Sequence, residues 1–253
     1  MITPYFTDGQ VSLYVGDMRE VLPALGLEAD CIIADPPYGG EVSLAWDVWP
    51  EGWLKVAATV SRSLWCFGSM RMFGEHWREF AAAGWKFSQD VVWEKQNGTG
   101  FATDRFKRVH ETAAHWYRGD WRQVHHVAPK TEVAWRTAAN SGQGQPPHLG
   151  AIGGRSWDDD GTRIARSVQR APNMWRRGAL HPTEKPVRLL DLLIAYACPS
   201  GGLIVDPFAG SGSTLEAARL SGRRAIGIEA DGQYALKAAR RLSQAALFGD
   251  GAA

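Results

Sequence analysis

The sequence predicts a doubly wound α/β domain built on a mostly parallel sheet, and three observations carry that prediction. Short apolar runs of strand length alternate with segments of helical spacing, the pattern of βα units. Two of these runs end abruptly in an acid followed by proline: Cys31-Ile32-Ile33-Ala34-Asp35-Pro36 and Leu203-Ile204-Val205-Asp206-Pro207. The second continues through a glycine-rich turn, Gly210-Ser211-Gly212, into a helical segment.

The elements follow in order. VSLYVGD (11–17) reads as a strand ending in Asp17, EVLPALG (20–26) as a short helical turn and CIIAD (31–35) as the next strand. Residues 51–63 have helical spacing, LWCFGS (64–69) is a strand, and 71–84 is helical again. KFSQDVVWEK (86–95) and ETAAHWYRG (111–119) read as strands. From about Trp121 to Arg177 the pattern breaks down, and NSGQGQPPHLGAIGGRSWDDDG (140–161) reads as loop. VRLLDLLIAYAC (187–198) is a strongly apolar helix. Strand, helix, strand and helix then close the chain over 202–247. The organisation expected is one domain formed by 1–119 and 178–253, with 120–177 as an irregular insertion on the rim of its sheet.

Composition narrows the setting. A length of 253 residues suits one large domain or a domain with an insertion. The net charge of +1 says nothing about a polyanionic partner. Cys31, Cys66 and Cys198 are odd in number and far apart, which favours a reducing, cytoplasmic setting over a disulfide framework. The first ten residues lack the basic start and apolar core of a signal peptide, and no apolar run nears the ~20 residues of a membrane span. His125-His126 and His110-Glu111 lack a third ligand at metal spacing and read as surface or partner-facing groups, so no metal is expected.

Two stretches carry chemistry. In Asp35-Pro36-Pro37-Tyr38 the prolines fix φ and push the chain toward extended backbone, leaving a stiff turn with a carboxylate, a bare carbonyl and a flat ring. In 203–229 a strand ends at Asp206, a glycine turn and helix follow, and another strand ends in Glu229, 23 residues after Asp206. That is the layout of a nucleotide-binding βαβ unit, in which glycines admit a ligand and an acid holds ribose hydroxyls. It is neither G-x-G-x-x-G nor a P-loop, so an adenosine without phosphates fits better, and S-adenosylmethionine (SAM) is the obvious ligand.

The Asp35-Pro36-Pro37-Tyr38 motif, then Trp46-Asp47, then His-Pro-Thr-Glu-Lys-Pro (181–186), then Asp-Pro-Phe-Ala-Gly-Ser-Gly-Ser-Thr (206–214) resemble the amino-group DNA methyltransferases. The order, with the acid-Pro-Pro-Tyr motif first, is similar to the β class of that family. The resemblance implies a Rossmann-like SAM-dependent domain with 120–177 as its target-recognition region, double-stranded DNA as partner and no membrane; two-fold dimers are common in the class. It implies that Asp35 and the Pro36 carbonyl accept hydrogen bonds from the target amine, with Pro37 stiffening the turn and Tyr38 stacking on a flipped-out base. SAM would rest on Asp206, Pro207, Phe208, Gly210, Ser211, Gly212, Thr214 and Glu229, and on the stretch with His181, Thr183 and Lys185, in which Lys185 could face a carboxylate or a DNA phosphate and Thr183 could simply cap the helix. Asp17 would contact the adenine of SAM or simply cap a helix. Asp before Pro-Pro usually accompanies N6-adenine in the family and Ser accompanies N4-cytosine, so adenine is favoured. An N4-cytosine enzyme on the same scaffold and a regulator that binds SAM or DNA without turnover are the alternatives.

The chemistry agrees with the resemblance. An exocyclic amine is a weak nucleophile because its lone pair is delocalised, and two acceptors on its hydrogens stabilise the charge that develops as the methyl arrives. No Pro-Cys pair occurs, which argues against cytosine C5 chemistry. Residues 118–177 hold ten Lys/Arg against five acids, concentrating positive charge where the class reads DNA. Arg122, Lys130, Arg155, Arg163 and Arg166 are the candidate phosphate contacts.

Overall fold

The computed structural model of the protein describes residues 2–40, 47–99, 103–132, 162–171 and 184–249. The strands in chain order are β1 (Phe6–Thr7), β2 (Val11–Val15), β3 (Cys31–Ala34), β4 (Ser63–Gly68), β5 (Lys86–Thr99), β6 (Arg108–Tyr117), β7 (Lys130–Glu132), β8 (Thr162–Ile164), β9 (Val168–Arg170), β10 (Leu203–Asp206) and β11 (Arg224–Glu229). The helices are α1 (Met18–Leu25), α2 (Trp53–Val60), α3 (Met70–Ala82), α4 (Val187–Ala197), α5 (Ser213–Leu220) and α6 (Gly232–Gly249). Among the described residues nine strands form one sheet in the order β1-β2-β11-β10-β3-β4-β6-β5-β9, and β7 pairs with β8 separately. The run from β2 to β4 is parallel throughout; β1, and β6 with its two neighbours β4 and β5, supply the antiparallel pairings.

Both faces of the sheet are covered, as a parallel sheet requires. Along β3 the alternation of side chains divides the core. Cys31 and Ile33 face a cluster with Leu189, Leu190, Leu193 and Ile194 of α4, Leu215 of α5 and Ala235 of α6. Ile32 and Ala34 face a second cluster with Met18 of α1, Trp53 and Leu54 of α2 and Phe80 of α3. All four residues of β3 are buried, which is why the strand reads as a continuous apolar run. Each such Ile or Leu contributes ~1.5–3 kcal/mol by leaving water.

The connectivity positions the site. From β3 the chain passes through α2 to β4 on one side, while from β10 it passes through α5 to β11 on the other. β3 and β10 are parallel neighbours, with Ile204 opposite Cys31 and Val205 opposite Ile32. They are therefore the point where the winding reverses, and a crevice opens beyond their carboxyl ends. Asp35 and Asp206 stand at those ends.

The expected irregular insertion needs correction in two respects. Three short strands lie within 121–177, and β9 pairs in parallel with β5 at the rim of the main sheet. The compact second unit is Ala128–Arg166, narrower than 120–177, and the first unit comprises Met1–Val127 with Ser167–Ala253. Three-residue strands carry too few side chains to show an alternation, and β9 is specified by a partner far away in sequence. The loop expected over 140–161 lies outside the described residues. No helix among the described residues is long and apolar enough to cross a membrane.

Candidate active site

The Asp35–Tyr38 turn is held by one residue. After two prolines without N–H groups, the next three amides need acceptors. The buried Asp47 carboxylate provides them: Tyr38 N donates to Oδ1 at 2.7 Å, Gly39 N to Oδ1 at 3.1 Å and Gly40 N to Oδ2 at 3.1 Å. Gly40 N also donates to the Asp47 carbonyl at 2.9 Å. Asp47 had been singled out only as part of a motif; the structure makes it the clamp of the turn. Beside it, Trp49 stacks on His76 with ring centroids 3.8 Å apart and donates from Nε1 to Glu79 at 2.9 Å.

Asp35 is engaged through both oxygens. Tyr38 donates its hydroxyl to Oδ1 at 3.0 Å, and Lys185 donates to Oδ2 at 2.5 Å. Burial, and then the Asp35 charge, push the Tyr38 phenol well above its usual value, so the hydroxyl remains a donor. Lys185 also lies 3.4 Å from Glu111 Oε2, and Lys95 pairs with Glu111 Oε1. Burial works against the Lys185 ammonium, but Asp35 and then Glu111 outweigh it and raise its pKa. Glu111 is likewise opposed by burial and held low by Lys185 and then Lys95. Four charges of alternating sign thus run Asp35–Lys185–Glu111–Lys95, supplied by the β3 turn, the residue before the N-cap of α4, β6 and β5. Lys185, expected in the stretch along the cofactor and able there to face a carboxylate or a DNA phosphate, is found on a carboxylate, that of Asp35. Glu111, read as a surface or DNA-facing group, has a side chain only 15% exposed, because period-two alternation turns it inward while His110 faces out. Nearby Cys66 is buried and its thiol raised, mainly by that burial and then by Asp35, which leaves it unreactive.

The glycine turn follows β10. Asp206 is buried; it accepts from Phe208 N at 3.0 Å and from the Thr214 hydroxyl. Burial raises its pKa to about 7, and Asp35 and Glu229 add charges of its own sign. Glu229 accepts from Gly210 N at 2.7 Å and Asp231 N at 2.9 Å, with its pKa raised by burial. Gly210 and Gly212 have φ of 51° and 79°, left-handed backbone that favours glycine. A Cβ on Gly212 would sit 3.2 Å from the Ala238 Cβ of α6, so this glycine serves helix packing as well as the turn. Pro207 is buried, the Phe208 ring meets Trp53 edge-on at 5.3 Å, and Ser211 bonds the Ser213 hydroxyl at 3.1 Å.

The remaining predicted residues divide. Asp17 caps α1, accepting from Arg19 N at 2.8 Å and pairing with the Arg19 guanidinium at 2.5 Å, which is the simpler of its two expected roles. Arg122 is exposed on the first unit, and Lys130, Arg163 and Arg166 are exposed on the second. His181, Thr183 and Arg155 lie outside the described residues. The N-cap of α4 is Pro186, without a side-chain cap bond.

The site thus joins a polar turn carrying a carboxylate to a glycine turn carrying two more, at one end of one sheet. A Type II methyltransferase, M2.DpnII of Streptococcus pneumoniae, is 26% identical over 97% of this chain and 94% of its own length. Among solved structures, M1.HpyAVI in its SAM complex superposes with a TM-score of 0.65 at 21% identity, covering 91% of this chain and 99% of that one. The PvuII DNA methyltransferase (cytosine-N4-specific) has a TM-score of 0.65 at 17% identity, covering 95% and 89%. These two likenesses establish the fold. The model of the N6/N4 methyltransferase family, described as DNA methylase, matches residues 29–240, and the chain belongs to that family.

Proposed function

We propose that the protein transfers a methyl group from SAM to the exocyclic N6 of an adenine turned out of double-stranded DNA. The observation that carries this reading is the Asp35 carboxylate, braced by Tyr38 and Lys185, in a turn whose neighbouring strand leads into the glycine turn.

The residues around the glycine turn fit SAM by their chemistry. Asp206 is a buried carboxylate whose nearest charges repel it, so it suits the ammonium of an amino acid. Glu229, at the end of the adjacent strand, offers oxygens for ribose hydroxyls, and Phe208, Gly210, Ser211, Gly212 and Thr214 complete the wall. When bound, SAM supplies an electrophilic methyl on a sulfonium. The chain then supplies positioning: Asp35 and the Pro36 carbonyl accept the two amine hydrogens, and Tyr38 gives the base a flat neighbour. Because the clamp at Asp47 sets this geometry before the base arrives, little reorganisation accompanies the reaction. Extrusion of the base follows from access, since the amine inside a duplex cannot meet an in-line donor.

Residues 120–177 are proposed to recognise the target, with Arg122, Lys130, Arg155, Arg163 and Arg166 on phosphates. The Type II relative supports a role as the modification partner of a restriction system. Adenine rests on Asp rather than Ser before Pro-Pro. Incubating genomic DNA with the protein and SAM carrying a labelled methyl, then analysing nucleosides by mass spectrometry, tests the reading. N6-methyl-2′-deoxyadenosine is expected; label in N4-methyl-2′-deoxycytidine alone would transfer the assignment to cytosine.

A further inference from the structure

The charge chain behind Asp35 has a feature that simple anchoring does not require. Lys185 binds Asp35 Oδ2 at 2.5 Å, yet a second carboxylate oxygen, Glu111 Oε2, lies 3.4 Å from the same ammonium. That oxygen is buried and accepts no well-aligned hydrogen bond among the described residues. Its companion Oε1 is occupied by Lys95. Among the described residues the one close partner of Oε2 is therefore Lys185, in a longer ion pair, and a buried carboxylate oxygen so held gains by a closer contact in another state. The ammonium already lies within 3.4 Å of that oxygen and sits 5.0 Å from the centre of the Phe67 ring.

Asp35 poses the complementary problem. Accepting an amine that grows positive, it works best with its charge undiluted. An ammonium held on the same carboxylate spends part of that charge and repels the developing cation. We infer that Lys185 is a mobile counter-ion: it neutralises Asp35 while the target amine is absent, and moves onto Glu111 Oε2 when the amine takes its place. Glu111 is then a positioning residue that acts through Lys185, and Lys95 holds Glu111 in place. No proton changes hands in this step; only the ammonium moves. The inference rests on the proposed function and adds to it the device that releases Asp35 for the reaction.

The test is a double-mutant cycle in single-turnover methyl transfer with saturating DNA and SAM, beside calorimetric SAM binding and thermal unfolding. Glu111→Gln keeps the shape but removes the charge that draws Lys185 away. Its transfer rate is expected to fall on the order of tenfold, with SAM affinity within about twofold of the parent. Lys185→Met also slows transfer, because two carboxylates then face one another. The double variant Glu111→Gln/Lys185→Met restores neutrality, leaving Asp35 with Lys95, and should be no slower than Lys185→Met alone. A purely structural role for Glu111 predicts that the double variant is slower than either single one, and that result, or parent-like transfer by Glu111→Gln, overturns the inference. If Glu111→Gln does not fold, comparison of the double variant with Lys185→Met still decides. A parent protein that transfers no methyl group at all would instead contradict the proposed function, and the inference would fall with it.

Discussion

Replacing Asp206 by Asn tests whether the carboxylate at the end of β10 is as isolated as the structure makes it. Its ordinary pKa of 3.8 is raised to about 7, chiefly by burial. Between those values the folded protein keeps a proton that the unfolded chain has lost. The stabilisation that the protonated group provides is complete below pH 3.8 and disappears as pH rises through about 7. Integrated from pH 5 to pH 8, the linkage removes about 2–3 kcal/mol of stability from the parent. Asn has no proton to lose and can still accept from Phe208 N. The stability of Asp206→Asn relative to the parent should therefore increase by about 2–3 kcal/mol over that interval. Urea unfolding at constant ionic strength, followed by tryptophan fluorescence, measures both proteins at each pH. Subtracting the two curves cancels every other titrating group. A difference that stays flat from pH 5 to pH 8 would refute the reasoning and return Asp206 to an ordinary solvated carboxylate.

Two further predictions follow from the turns. Gly212→Ala places a side chain on left-handed backbone and presses on Ala238, so it should destabilise the fold by at least ~1–2 kcal/mol, read as a shift of the urea midpoint. Asp47→Ala strands three amides of the Tyr38–Gly40 turn; removing acceptors of this kind costs ~1–3 kcal/mol where water does not replace them. Methyl transfer should therefore fall while calorimetric SAM binding, proposed to be seated on β10 and β11, stays near the parent.

Much of this site was legible because its chemistry is local in sequence. An apolar run closed by Asp-Pro-Pro-Tyr can only be a strand ending in a stiff turn, and strand, glycine turn, helix and acid over 203–229 specify one βαβ unit. Adjacency of the two turns was not legible: it depends on β3 and β10 being neighbours, although about 170 residues separate them. The same holds for the charge chain, since Lys185 meets Asp35 across 150 residues and Lys95 meets Glu111 across 16. Asp47 left a signal that could have been used, because an acid a few residues after Pro-Pro-Tyr-Gly-Gly is where unpaired amides need an acceptor. Gly212 shows the reverse case. Its conformational need was readable, but its packing against Ala238 comes from α6, which the local pattern does not contain.

The central claim is that Asp35 receives the target amine, and single-turnover methyl transfer by Asp35→Ala tests it most directly. SAM binding, proposed to rest on the end of β10 and on β11, should remain near the parent, so the comparison is made with cofactor saturating. The rate of transfer to DNA should drop by at least ~10²–10³-fold, the effect of removing one preorganised electrostatic partner. Transfer by Asp35→Ala at the parent rate would contradict the account and reduce the Asp35–Tyr38 stretch to a rigid turn.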